Sequence, residues 1–184
     1  AYNIAIGYEA GGAVTTGTNN NIMGGLAGDA LTTGGFNVAI GTSALSADTT
    51  GQSSIAIGYQ ALQNQNNTTS AFMNNVAVGH NAGLSVTTGI QNVLVGDQAG
   101  DALTDSDNNV AIGSQALTAD TLGSRSIAIG RRALGTQNFT TATDSYNVAI
   151  GFNAGVSVTT GIQNTLVGGL AGDALTDADL NTAV

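Results

Sequence analysis

Chemistry needs nucleophiles, bases or metal ligands at fixed spacing, and this chain of 184 residues carries few of them. It has one histidine, His80, and neither cysteine nor lysine. A catalytic triad sets a histidine between a nucleophile and an orienting carboxylate. His80 stands in a position where residue type varies freely, with no Ser, Cys or acidic partner expected within reach, so it reads as a surface residue. Without Lys there is no glycine-rich phosphate cradle ending in Lys. Without Cys there is no disulfide, thiolate metal site or cysteine nucleophile.

The acids allow one metal reading. Asp101, Asp105 and Asp107 recur as Asp173, Asp177 and Asp179, and a bend with three carboxylates is a candidate Ca²⁺ site. The equivalent stretch nearer the N-terminus has only Asp29, with Thr33 and Gly35 in the other two places. The Ca²⁺-binding nonapeptide of parallel β-helices is absent too. The acids therefore read as solubilising charge on bends, and no cofactor is expected. No cleft signal flanks them, as the paired carboxylates of a glycosidase would require. The chain reads as non-catalytic.

The basic residues are Arg125, Arg131 and Arg132. Counting by the repeat described below, Arg131 falls near Ser114 and Asp97, which suggests a loose surface ion pair; a receptor-binding patch is the alternative. The net charge of −9 opposes a phosphate-backbone partner and an anionic membrane surface. No apolar run approaches the roughly 18 residues that span a bilayer, and no signal peptide is present. Yet 42% of the residues are apolar, which argues against disorder, and 27 are Gly while none is Pro or Trp.

The elements that must carry these side chains are set by a repeat. A glycine follows an apolar tripeptide at Gly7, Gly24, Gly41, Gly58, Gly79, Gly96, Gly113, Gly130, Gly151 and Gly168, with spacings of 17, 17, 17 and 21 residues, recurring. Ten coils result, grouped by four into a super-repeat of 72 residues (about 1–72, 73–144 and a partial 145–184). The β-branched residues before the glycine, such as Val38 and Ile40 or Val110 and Ile112, predict a short strand in each coil. The residue between them is mostly Ala, becoming Ile22, Leu94 and Leu166 once per super-repeat. Both strand faces are thus apolar, so a core is expected on one and another subunit on the smaller Ala/Gly face.

Other columns are structural as well. Asn37, Asn109 and their equivalents precede the strands, with Ser54 and Ser126 in two coils, and stacked in register they suggest an Asn ladder. Three residues past every glycine stands an alanine, as at Ala44 and Ala116 after Gly41 and Gly113. The next position reads Gly, Gly, Leu, Leu in turn, and three residues further it reads Val, Leu, Asp, Gln. One apolar side chain per coil is therefore expected to fill one core slot from either of two backbone positions, since close packing needs constant volume per layer. The coils of 21 residues carry inserted loops whose Asn66, Asn67, Phe72, Asn138, Phe139 and Tyr146 are the candidate ligand contacts.

The strands Asn37-Val38-Ala39-Ile40-Gly41, Asn109-Val110-Ala111-Ile112-Gly113, Ser126-Ile127-Ala128-Ile129-Gly130 and Asn147-Val148-Ala149-Ile150-Gly151 resemble the head repeat of trimeric autotransporter adhesins, the YadA-like family. The resemblance implies a left-handed parallel β-roll, three chains about one axis, displayed outside bacteria to bind matrix proteins or surfaces. Similar repeats occur in bacteriophage tail fibres. The coils here are longer, the higher-order period is distinct and lysine is missing, and no binding residue of the family carries over.

The expected architecture is an all-β parallel β-solenoid of about ten coils, forming a homotrimer. With strands about 4.8 Å apart it makes a rod about 48 Å long, with its inserted loops about 19 Å apart. The expected function is a structural shaft or adhesive head of an extracellular fibre, on a cell or virion surface, attaching to a host protein or glycan. A bacteriophage tail fibre shaft is the alternative. A membrane barrel elsewhere in the gene would select the first and a virion-attachment segment the second. An ice-binding solenoid is a third reading, but Asp105-Ser106, Thr121-Leu122 and Asp177-Ala178 interrupt the flat Thr array it requires. Because the sequence stops at Val184, just where the next repeat glycine is due to follow, the segment reads as a piece of a longer fibre.

Overall fold

The computed structural model describes residues 2–69 and 71–184, which include every candidate residue named above. Eleven short strands stack in one parallel sheet: β1 (Ile4–Ile6), β2 (Asn21–Met23), β3 (Val38–Ile40), β4 (Ile55–Ile57), β5 (Val76–Val78), β6 (Val93–Val95), β7 (Val110–Ile112), β9 (Ile127–Ile129), β11 (Val148–Ile150), β12 (Thr165–Val167) and β13 (Thr182–Ala183). A second sheet pairs β8 (Gly123–Ser124) with β10 (Thr143–Asp144), also in parallel. Among the described residues there is no helix, so none long and apolar enough to cross a membrane. The fold is a parallel β-solenoid of eleven turns. The glycine marker counts ten because β13 has no glycine after it.

Register survives the insertions. Ile55 pairs with Val76 and Ile127 with Val148, each 21 residues on, as faithfully as Val38 pairs with Ile55 at 17. Each inserted loop leaves the coil after the buried Gln65 or Gln137 and rejoins it by strand pairing. Gln52 bridges to Phe72, and at the equivalent place Ser124 pairs with Asp144. Extra length is thus absorbed outside the sheet, where it disturbs no ladder hydrogen bond.

The strand faces are the reverse of the expectation. The central residues Ala39, Ala56, Ala77, Ala111, Ala128 and Ala149 are wholly buried within the single chain, as are Ile22, Leu94 and Leu166. The β-branched residues on either side point outward: Val38 and Ile40 are half-buried, and Ile112 and Ile150 are exposed. The Ala face therefore lines the core and faces no other subunit. The coil is narrow, and its opposite wall already supplies a Leu or Val to the same layer. Only a small residue fits on the strand side.

The volume rule operates with a third contributor. In two coils of each super-repeat Leu45, Leu62, Leu117 and Leu134 are wholly buried; in the other two the glycine position is empty and Leu31, Val86, Leu103 and Val158 fill the slot from three residues on. The large strand residue sits over the glycine pair. A Cβ added at Gly100 would lie 2.7 Å from Leu94 Cδ2 and 2.8 Å from Leu103 Cδ1. This explains why Ala gives way to Ile or Leu once per super-repeat, where two glycines make room.

Left-handed backbone recurs without glycine. Leu45, Leu62, Leu117 and Leu134 have φ of 54, 48, 54 and 49°, close to the 56° of Gly100 in the same column. A left-handed non-glycine residue costs about 1–2 kcal/mol. Burying a leucine returns about 1.5–3 kcal/mol, so the side chain holds the conformation. At Gly41, in contrast, glycine is obligatory: φ is 130° and an added Cβ would meet the carbonyl oxygen of Gly58 at 2.3 Å.

The Asn column forms a ladder that bonds mainly to backbone. Asn37 takes its own N–H to Asn20 Oδ1 at 3.0 Å, donates Nδ2 to the Gly51 carbonyl at 3.0 Å and accepts from the Ser54 N–H at 2.9 Å. Asn109 repeats this with Asn92, Gly123 and Ser126 at 3.0, 2.9 and 2.9 Å. Each side chain ties its coil to the next, each backbone N–H reaches back to the preceding asparagine, and the backbone groups at the corner before the strand are satisfied.

Candidate functional site

The column immediately after the repeat glycine is exposed, and it carries the one histidine. His80 Nδ1 lies 3.0 Å from Asp97 Oδ1, one coil away, and the imidazole stacks on Tyr59 with centroids 5.5 Å apart and planes 10° from parallel. The expectation that His80 has no acidic partner is therefore wrong. The signal was present in the sequence, since positions 80 and 97 are one 17-residue coil apart. The neighbour stacked on the other face of the imidazole is the Tyr59 ring.

Arg131 does not pair with Asp97. Its guanidinium lies over the Phe152 ring at 5.8 Å, while Asp97 is held by His80. Arg125 forms the other surface cluster, with Nε 3.1 Å from Asp144 Oδ1 and its guanidinium 5.8 Å from the centre of Tyr146. Both partners are about half exposed, so such a pair contributes about 0–1 kcal/mol and positions the Tyr146 ring more than it stabilises the fold.

The acids of the bends are spread along the solenoid and engaged singly. Asp101 accepts from Thr118 Oγ1 at 2.6 Å, Asp105 from Thr88 Oγ1 at 2.6 Å, and Asp107 from the Ile90 N–H at 2.8 Å. Asp179 accepts from the Ile162 N–H at 2.7 Å and Asp177 from Thr176 Oγ1 at 3.1 Å, while Asp173 is exposed. Among the described residues no three His, Cys, Asp or Glu side chains come together as a group that could hold a metal ion. Burial raises the pKa of Asp101, against the Thr118 hydroxyl that lowers it.

Two carboxylates occupy the Asp position of the Val, Leu, Asp, Gln column. Asp48 and Asp120 are wholly buried, each in a coil whose slot is filled by Leu. Asp120 Oδ1 accepts from the N–H groups of Gly123 and Phe139, both at 3.0 Å, and Oδ2 accepts from Gln137 Nε2 at 2.6 Å. Gln137 in turn accepts from Asn147 Nδ2 at 2.8 Å and donates to Ser126 Oγ at 2.9 Å. The same network links Asp48, Gln65, Ser54 and Asn75. Burial pushes the Asp120 carboxyl above its ordinary value, and the donors around it, the Gln137 amide foremost, only partly oppose it. The sequence signal was the Ser that replaces Asn in the ladder of the coil that carries the Gln: the shorter side chain leaves room for the amide.

The inserted loops divide the candidate contacts. Asn66, Phe72, Asn138 and Tyr146 are exposed. Asn67 and Phe139 are not: they are 9% and 6% exposed, and they pack inside the loops. Asn67 donates to Met73 Sδ at 3.0 Å, and in the second loop Phe139 and Ser145 take the places of Asn67 and Met73, a large residue and a small one exchanged across the same space. Neither buried side chain is available to a ligand.

The largest continuous feature is the outward strand face. Val38, Ile40, Ile55, Ile57, Val76 and Val78 begin a two-residue-wide apolar stripe that continues through β11, bounded by Asn21 in β2 and Thr165 in β12. No pocket opens on the surface of the described residues. No protein family, curated protein or solved structure matches this chain.

Proposed function

We propose that the chain is a segment of a non-catalytic extracellular fibre that mediates attachment to a surface or host cell, and that three copies pack through the outward Val/Ile stripe. The observation that carries this reading is the stripe itself. Long contiguous apolar faces mark interaction sites, and this one lies on a parallel sheet whose strands are already hydrogen-bonded along the stack. The resemblance of the strand motif to YadA-like adhesin heads supports three-fold packing. The exposed loops and aromatic columns then remain for contact with a host protein or glycan. A tail fibre shaft would use the same physics.

The test is the mass of the purified chain by sedimentation or mass photometry, together with retention under flow of inert cells that display it. Three chains per particle and retained cells support the reading. A monomer at micromolar concentration overturns the assembly, and cells that wash off at the rate of undisplayed controls overturn the adhesive role.

A further inference from the structure

The two inserted loops can be compared position by position, from Asn66–Asn75 to Asn138–Asn147. Six of the ten positions differ, including Asn67 against Phe139, Phe72 against Asp144 and Met73 against Ser145. The positions that stay the same are the ladder asparagine at the end and the group Asn-x-Thr-Thr at the start. The ladder asparagine is accounted for by the fold. The shared Asn-x-Thr is not fully so: Asn66 and Asn138 accept through Oδ1 from the hydroxyls of Thr49 and Thr121, at 3.3 and 3.1 Å, while Thr68 and Thr140 make no side-chain hydrogen bond among the described residues.

Asn-x-Thr with any x but Pro is the acceptor sequence for N-linked sugars, and it belongs on exposed loops. In this chain it occurs only in these two loops. Asn66 and Asn138 are exposed, and the Nδ2 of each makes no hydrogen bond among the described residues. Thr68 and Thr140, which supply the required hydroxyl, are exposed too. The overlapping sequence Asn67-Thr68-Thr69 is an internal contrast. Asn67 is buried, with Nδ2 on Met73 Sδ and Oδ1 accepting from the Thr69 N–H at 2.7 Å, so it cannot enter a transferase.

We propose that Asn66 and Asn138 are N-glycosylation acceptor sites. The donor is a sugar activated as a glycosyl diphosphate, either nucleotide-linked or lipid-linked. Nδ2 bonds to the anomeric carbon as the bond from that carbon to the diphosphate oxygen breaks. The diphosphate leaves with the electron pair, and the amide proton passes to a base of the transferase. The acceptors sit about half a coil from the strand stripe, since Asn66 follows Ile57 by 9 residues and precedes Val76 by 10. Sugars there would project from the side opposite the stripe, so the proposal stands whether or not the chains associate.

The test is peptide mass mapping of the chain recovered from its natural producer, beside Thr68→Ala and Thr140→Ala variants made in the same cells. Sugar on Asn66 and Asn138, lost from each loop with its own threonine and absent from Asn67, supports the proposal. Adducts of single hexoses identify a nucleotide-linked donor, and a preassembled oligosaccharide identifies a lipid-linked one. Unmodified Asn66 and Asn138 overturn it, as does sugar that persists in the threonine variants. Circular dichroism of the variants checks that the solenoid is intact.

Discussion

Gln137 donates its side-chain amide to Asp120 at 2.6 Å, and both residues are wholly buried. Among the described residues no cation pairs with the carboxylate, which is held by this amide and by backbone N–H groups, those of Gly123 and Phe139 at 3.0 Å. Replacing Gln137 by Leu removes the side-chain donor and takes one of its acceptors from the Asn147 amide, which keeps the Gly161 carbonyl. Each unsatisfied buried group costs about 1–3 kcal/mol, and more when charged. The expected loss is about 2–5 kcal/mol on that basis, read as a lower denaturant midpoint. A change below about 0.5 kcal/mol, the scatter of ordinary surface substitutions, would mean that water reaches the site.

The Asp120 carboxyl also sets a pH dependence. Its folded pKa is raised above 3.8 by burial, so the native state holds the proton more tightly than the unfolded chain. The stabilising contribution is complete below the unfolded value and is lost as pH rises through the raised folded value. Asp120→Asn removes this titration. Denaturant midpoints measured from acid to neutral pH should fall more steeply in the parent than in the variant; parallel curves would refute the assignment.

Asn109 is fixed by three hydrogen bonds to neighbouring coils, and Asn109→Ala leaves the buried Ser126 N–H and the Gly123 carbonyl, both on the C-terminal side, without the partner its side chain supplied. The expected cost is about 2–6 kcal/mol, from two groups at about 1–3 kcal/mol each. Hydrogen exchange should quicken first at Ser126, whose N–H loses its acceptor. Uniform protection across the coils would contradict the ladder.

Gly100→Ala tests the shared core slot. The added methyl meets Leu94 and Leu103 below 3.0 Å in a left-handed backbone, so overpacking of about 1–3 kcal/mol is expected. Leu117→Ala tests the same slot from the other side, with a cavity cost of about 2–5 kcal/mol. Both are read by thermal or denaturant unfolding.

The outward stripe should respond in the opposite way. Ile40→Asp with Ile112→Asp places charge on a face that the single chain leaves half open or exposed. Circular dichroism is expected to stay unchanged while sedimentation shows the assembly reduced to single chains. Particles of unchanged mass would show that this face is not the contact.

The 17-residue period, the strands, the Asn ladder and the exchange of Leu for Gly were legible in the sequence. Each is a local preference repeated at one spacing, and stacking reinforces it in every coil. The sequence also placed His80 and Asp97 one coil apart, although only their 3.0 Å contact makes them a pair. What the tertiary structure alone decided is which way each side chain faces. Val38, Ala39 and Ile40 are all apolar, so alternation cannot tell inside from outside. Closure of a narrow coil does, because Leu45 and its equivalents from the far wall leave room only for alanine. The same closure buries Asp48 and Asp120, which read as ordinary polar residues until the ladder serine, the glutamine and the returning loop surround them. It also turns Phe139 inward while leaving Asn138 beside it in solvent. Adjacent positions in a loop differ in exposure by packing, and packing is a property of the whole coil.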